Sequence, residues 1–308
     1  MILCCGEALI DMLPRTLPGG GIAYAPHAGG SVFNTAIGLG RLGNGVGFLS
    51  GVSRDMFGDQ LRAELAASGV EGDHVILSDR PTTLAFVTLT DGQARYHFMD
   101  ENSAGRMIAP ADLPTVGESV SALYFGGISL ACEPGAETYA TLQAAEGAGR
   151  AVMLDPNIRP DFIRDPTRFR DRMARMVARA DIVKISDEDL AWLDPDGSEA
   201  TRVSRMQASG PALIIVTRGA QGATGYMRSG GQVTVPAPRV EVVDTVGAGD
   251  TFNSGLLHAL DRRGGLSPQG IASLSQDHLA EALTLGARVA AITVSRAGAN
   301  PPWAAELD

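Results

Sequence analysis

The sequence predicts an α/β chain: a central, mostly parallel sheet flanked by helices, with a small β-strand lid. Short apolar runs recur at 122–125, 151–154, 181–185 and 212–217, and helical stretches near 135–148, 168–179 and 199–209 separate them. A pair of alternating runs, 82–90 and 94–99, interrupts this rhythm about the turn Asp91-Gly92 and reads as a hairpin. A β-ribbon inserted in an α/β chain serves as a lid, here with segments at about 12–28 and 82–103 of a single domain over residues 1–308.

The elements follow in order. Ile2 to Leu9 is a buried strand running into Asp11, and residues 14 to 30 are Pro- and Gly-rich, with a short strand at Ile22 to Ala25. Ser31 reads as the cap of a helix whose stripe is Phe33, Ile37, Leu39 and Leu42, ended by Gly43. The stretch Gly38-Leu-Gly-Arg-Leu-Gly43 spells a dinucleotide fingerprint, yet a helix precedes it and a strand follows, the reverse of what that site needs. Phe57 to Ser68 is a second helix, and Gly222 to Val235 a glycine-rich hairpin. Val240, Val242 and Val243 then predict a strand, Gly247-Ala248-Gly249 a turn, and Phe252, Leu256, Leu257 and Leu260 a helix. A polar loop (261–275), a helix from Leu279 to Ala291 and a last strand, Ile292 to Ser295, complete the chain.

Composition excludes several functions. A net charge of −10 argues against a nucleic-acid partner, and no apolar run is long enough to span a bilayer, so no membrane partner is expected. The first six residues lack a basic leader, and the three cysteines read as buried thiols, so the expected compartment is the cytoplasm. The five histidines show no metal-ligand spacing. Lys184 is the only lysine and nothing near it spells a phosphate loop; it is either a nucleotide contact or, preferred here, a charge reaching out from a strand end.

Chemistry gathers where the turn at 247–249 enters its helix. Small residues leave first-turn amides uncovered at the positive end of the helix, which attracts phosphate. Asp250 in that turn is either a helix-start acid, beside Thr251 and Asn253 as capping groups, or a base placed next to an anion site. Base and anion hole together are what phosphoryl transfer to a hydroxyl needs. Asp11 and Asn34 could face the same place or bond local backbone. Phe98 and the polar stretch to Ser103 either touch a ligand or only return the chain. Polar groups close three sheet strands: Asp155-Pro-Asn157-Ile-Arg159, Lys184-Ile-Ser186 to Asp189, and Thr217-Arg-Gly219 to Gly222. Ala282, Gly286, Ala287 and Ala290 either admit a flat ring or allow close packing.

Asp244-Thr-Val-Gly-Ala-Gly-Asp250 resembles the DTxGAGD signature of the ribokinase/fructokinase (PfkB) family. Gly29-Gly30-Ser-Val-Phe-Asn34 is similar to its N-terminal motif, and Asp155-Pro-Asn157-Ile-Arg159 to the DPNxR of its fructokinase-like branch. The resemblance runs from Gly6 through Gly298 and implies a ribokinase-like three-layer fold and ATP-dependent phosphorylation of a sugar, fructose first and ketodeoxygluconate or a nucleoside as alternatives. A sugar-binding regulator without chemistry is the alternative of another class. The resemblance implies Asp250 as base, with the amides of Gly247, Ala248 and Gly249 on the γ-phosphoryl group. Asp11, Gly29, Gly30, Asn34, Phe98 and Arg159 fall to the sugar. Ser186, Thr217, Gly219, Gly222 and Ala287 fall to the ATP, with Ala248 and Gly249. Asp244, Thr293, Arg296 and Gly298 are implied around a monovalent cation such as K+. The family's NxxE reads Ser186-x-x-Asp189 here, which assigns Asp189 to Mg2+ through water, with Glu188 as a substitute. Pairing of lid strands between two copies implies a homodimer.

Overall fold

The computed structural model describes residues 1–90 and 93–307. In chain order the first half contains β1 (Ile2–Cys5), β2 (Leu9–Thr16), β3 (Ile22–Gly29), α1 (Ser31–Arg41), β4 (Val46–Leu49), β5 (Gly51–Ser53), α2 (Met56–Ala67), β6 (Val70–Glu71), β7 (Ile76–Ser78), β8 (Leu84–Thr90) and β9 (Gln93–Met99). The second half contains β10 (Ala122–Gly126), α3 (Gly135–Glu146), β11 (Ala151–Asp155), α4 (Pro166–Val177), β12 (Ile182–Ser186), α5 (Asp187–Leu193) and α6 (Glu199–Ser209). It closes with β13 (Leu213–Thr217), β14 (Ala223–Met227), β15 (Gln232–Val235), α7 (Ala248–Arg262), α8 (Pro268–Ala272) and α9 (Gln276–Val294).

Among the described residues, nine strands form one sheet in the order β15-β14-β13-β12-β11-β10-β1-β4-β6. All its pairings are parallel except those that add β14 and β15. Successive side chains of a strand point to opposite faces, so the continuous apolar runs feed two cores. Ile2 and Cys4 of β1 join Phe33, Leu61, Leu256 and Leu283 from α1, α2, α7 and α9. Leu3 and Cys5 join Tyr139, Phe169, Leu190 and Val203 from α3 to α6 on the other face. Helices on both faces of the sheet make the expected three layers.

The lid segments pair as a four-stranded sheet, β3-β2-β8-β9. The short strand expected at Ile22 runs on to Gly29, and the hairpin of β8 and β9 is present, its turn Asp91-Gly92 lying outside the described residues.

Several expectations are overturned. Residues 240–243 form no strand: the amide of Val243 bonds Val294 O at 2.8 Å, but Val242 and Val243 are 60% exposed. Ile292 to Val294 is not a strand either but the last turn of α9, because a buried helix face continues through Thr293 and overrides β-branched propensity. The polar loop 261–275 contains α8, capped by Ser267. Close packing explains the small residues of α9: a Cβ on Gly255 would lie 2.9 Å from Gly286 Cα, and one on Gly286 2.9 Å from Phe252 O.

Helix starts divide into two kinds. Asp55, Asp165, Ser186, Ser198 and Ser275 cap α2, α4, α5, α6 and α9 with their own side chains. α1 and α7 begin instead at Gly30 (φ 113°) and Gly247 (φ 76°), with no side-chain cap. Ser31, Thr251 and Asn253 therefore do not cap. The Thr251 hydroxyl donates to Gly247 O, and the Asn253 amide points at Asp155.

Candidate active site

The two helix starts that begin at a glycine meet. α1 and α7 open onto a cleft of about 730 Å³ lined by Asp11, Gly30, Asn34, Phe98, Arg159 and the turn Gly247 to Asp250. Strand ends of the main sheet supply its floor, and β2 and β9 of the lid supply one wall. In parallel sheets ligands sit beyond the carboxyl ends of the strands, and this cleft obeys that rule.

Asp250 is 7% exposed and held by three side chains. Oδ1 accepts from Ser31 Oγ at 2.9 Å and Oδ2 from Asn34 Nδ2 at 2.9 Å. Asn157 Nδ2 donates to Ser31 Oγ at 2.8 Å and reaches Oδ1 at 3.4 Å. A carboxylate offers about four acceptor positions, so one on Oδ2 is left for an incoming hydroxyl. Burial pushes Asp250 above the ordinary carboxylate range, against the pull of Asn34 and Ser31, the charge of Asp155 raises it further, and Lys184 lowers it. A carboxylate raised in this way is a better proton acceptor.

Beside Asp250, the left-handed Gly247 turns the chain into α7. The Ala248 amide donates to Thr245 O at 3.3 Å, and first-turn amides beyond it have no intrahelical acceptor. A Cβ on Gly249 would lie 3.1 Å from Lys184 Nζ, so the missing side chain lets an ammonium approach the turn. Lys184 does not reach out to solvent as expected. It is buried and paired with Asp155 Oδ2 at 2.9 Å, while Asn253 Nδ2 donates to the same oxygen at 2.7 Å and to Tyr124 Oη at 2.9 Å. A positive charge thus stands under the anion turn, held by a buried carboxylate.

Of the residues expected at the sugar, Asp11, Gly30, Asn34, Phe98 and Arg159 line the same cleft. Burial, then the charge of Asp250, pushes Asp11 up to about 6. Gly29 lies just outside the cleft, where a Cβ would overlap Asp11 Oδ2. The Phe98 and Phe162 rings meet edge-on at 4.3 Å, and Arg159 Nη1 donates to Ile158 O at 3.0 Å.

Other expected contacts lie elsewhere. Thr217, Gly219, Gly222, Ser186 and Ala287 are not among the residues lining this cleft. Thr217 ends β13; Gly219 and Gly222 follow it with φ of 49° and 92°; Ser186 Oγ accepts from the Asp189 amide at 3.0 Å; Ala287 is buried in α9. Asp189 accepts from the Ile158 amide at 3.2 Å, and burial raises it. Among the described residues no three His, Cys, Asp or Glu side chains cluster to hold a metal. Asp244 accepts the amides of Val246 at 3.0 Å and Gly298 at 2.9 Å, tying the turn before α7 to the loop after α9. The Thr293 hydroxyl is bound to Val289 O and Arg296 to Glu306, so these two side chains face other partners.

Ser31, Asn157 and Asp155 are not singled out as site residues by the sequence, and Lys184, weighed there as a nucleotide contact, reads as a charge reaching out from a strand end. Asn157 and Asp155 sat in the quoted Asp-Pro-Asn stretch, and the rarity of lysine marked Lys184. Ser31 carried no signal beyond that of a cap, since its partner is 219 residues away.

The pattern of the pfkB family carbohydrate kinases matches residues 1–306. The chain is 50% identical over 279 residues to a fructokinase of Rhizobium leguminosarum bv. trifolii, covering 91% of this chain and 85% of that one. It is 37% identical to a fructokinase of Klebsiella pneumoniae, covering 92% and 90%. The crystal structure of fructokinase with bound ATP from Xylella fastidiosa superposes with a TM-score of 0.87 at 30% identity, over 97% of this chain and 93% of that one. With its motifs gathered at one cleft, the chain belongs to the pfkB family of carbohydrate kinases, phosphotransferases that act on an alcohol group.

Proposed function

We propose that the chain is an ATP-dependent fructokinase that forms fructose 6-phosphate. The observation that carries the reading is Asp250, gripped by Ser31, Asn34 and Asn157 beside an uncapped helix start. Sugar enters under the lid; Asp11, Gly30, Asn34 and Arg159 orient it; Asp250 takes the proton of the attacking hydroxyl. The amides of Gly247 to Gly249 and the ammonium of Lys184 stabilise charge on the transferring phosphoryl group. ATP lies along Thr217, Gly219 and Gly222 towards Ala287, with Ser186 beside it. β2, β3, β8 and β9 act as a lid that excludes water.

Asp189, a buried carboxylate at the start of the helix after β12, would be the residue to hold Mg2+ through water, and the metal would supply neutralisation of phosphate charge. Asp244 fits a monovalent cation better than Thr293 or Arg296 do, through its charge and the carbonyl oxygens of the two loops it joins.

Fructose is favoured over a sugar acid because Arg159 is the one arginine among the residues lining the cleft. Arg106 lines a neighbouring cavity of about 490 Å³ and is paired with Asp100 at 3.0 Å; the Arg95 side chain lies outside the described residues. An ADP-release assay over fructose, ribose, ketodeoxygluconate, adenosine and inosine tests this: the highest kcat/KM is expected with fructose, and preference for the acid overturns it. Saturable sugar binding without turnover favours a regulator.

Ile22 and Met99, at 69% and 62% exposure on the lid sheet, support a homodimer that covers them, which sedimentation would test. Among the described residues no helix is long and apolar enough to cross a membrane, and three buried unpaired cysteines support a cytoplasmic setting.

A further inference from the structure

One buried carboxylate in the cleft has no part in the chemistry above. Glu7 lies two residues beyond β1 and is 8% exposed. Its Oε1 accepts the Ser31 amide at 2.9 Å, its Oε2 the Ser129 amide at 3.2 Å, and its backbone carbonyl the Phe33 amide at 3.3 Å. Ser31 and Phe33 belong to the first turn of α1, which has no side-chain cap of its own. Glu7 therefore caps α1 from the loop after β1, with the sign of charge that a helix start prefers. The backbone is shaped around it: a Cβ on Gly127 would overlap the carboxylate, and one on Gly30 would lie 2.7 Å from its carbonyl oxygen.

We propose that Glu7 is a positioning residue for phosphoryl transfer: by holding the first amide of α1 against the turn at Ser129, it fixes the Ser31 and Asn34 side chains that aim Asp250. The inference rests on the reading of Asp250 as the base. Burial pushes Glu7 up to about 7 against the pull of those amides. The titratable groups acting on it across α3 and the preceding loop are Tyr139 and Cys132, both pushed far above neutrality by burial and so uncharged; Asp11 and Asp250 line the same cleft. Protonation near neutral pH turns one acceptor oxygen into a hydroxyl and releases one of the two amides. The clamp loosens as pH falls through that range.

Glu7→Gln keeps the volume but turns an amide NH2 towards one of the two N–H groups. Its kcat is expected to fall roughly ten- to a hundredfold, as for a small misplacement of reacting groups, with KM for ATP within about twofold. The limb of the kcat/KM profile near pH 7 should vanish, and Glu7→Asp, which keeps the charge, should regain part of the loss. A brace that serves stability alone would lower the melting temperature and leave the pH profile in place. The amide resonances of Ser31 and Ser129, followed by 15N NMR in the unliganded full chain, should titrate together near pH 7 in the wild type and stay flat in Glu7→Gln. Amides that do not titrate in the wild type, or a Glu7→Gln enzyme with wild-type kcat and pH profile, overturn the proposal. Should Glu7→Gln fail to fold, Glu7→Asp and the wild-type titration decide. Undiminished turnover in Asp250→Asn would remove the base reading, whereas the amide titration is independent of it.

Discussion

At the start of α7 the Asp250 carboxylate is buried and gripped by three side chains, while a few residues earlier Val242 and Val243 stand in solvent on a segment that pairs with no strand. The surroundings of the carboxylate are thus fixed by the fold, with Ser31, Asn34 and Asn157 bonded to it and Asn157 bonded to Ser31. Val242 and Val243, which are not among the residues lining the cleft, leave apolar surface uncovered just before its Thr245 to Asp250 turn. On the proposed reading the contrast follows a chemical division: orientation of base and hydroxyl must be set in advance to lower a barrier, whereas apolar surface next to the turn could be covered by a nucleotide on binding.

The largest way to break the contrast is at the base. Asp250→Ala should lower turnover by at least about a hundredfold, the usual loss for a general base, with sugar affinity by calorimetry little changed. Near-normal turnover would mean that the fixed surroundings of the carboxylate are scaffolding. Lys184→Met should be next: it leaves Asp155 buried without its counter-charge and is expected to cost roughly 3–5 kcal/mol in urea unfolding as well as turnover. Pairing it with Asp155→Leu should restore much of the stability and none of the rate, which separates the two roles of the ammonium.

pH sharpens the comparison further. Asp11 and Glu7 both have folded-state values raised above their unfolded ones, to about 6 and about 7. Their stabilising contribution is complete below the ordinary carboxylate range and is lost as pH rises through those values, by up to about 3 kcal/mol for each. The urea midpoint should therefore be higher at pH 5 than at pH 8, and Asp11→Asn should flatten that slope in part. The smallest effect belongs to the exposed segment. Val242→Ser should leave stability within about 0.5 kcal/mol while raising KM for ATP roughly threefold. A lowered melting temperature with unchanged KM would show that this segment packs against protein and not ligand.

The sheet was readable because parallel strands buried on both faces are continuous apolar runs, and β10 to β13 stand where those runs predict them. The same reasoning failed at Val240 to Val243 and at Ile292 to Val294. β-branched residues fit a strand only where a neighbouring strand is free to pair, and here one run has no such edge while the other completes a buried helix. Within the site, spacing revealed the turn before Asp250, since glycines and an acid at fixed offsets have a local meaning. Partners that meet only in space stayed hidden: Ser31 looked like a cap, Lys184 like a charge reaching out from a strand end, and Glu7 lay inside the strand expected from Ile2 to Leu9.

Burial of Lys184 leaves the surface beyond the first residue without a lysine amine. An acylating or cross-linking reagent then has, apart from the chain's own start, a single target, and reaching it requires entry into the cleft. Because that amine is also ion-paired with Asp155, its modification is expected to be slow, and further protection by a candidate compound, read by mass spectrometry, would report that the compound fills the cleft.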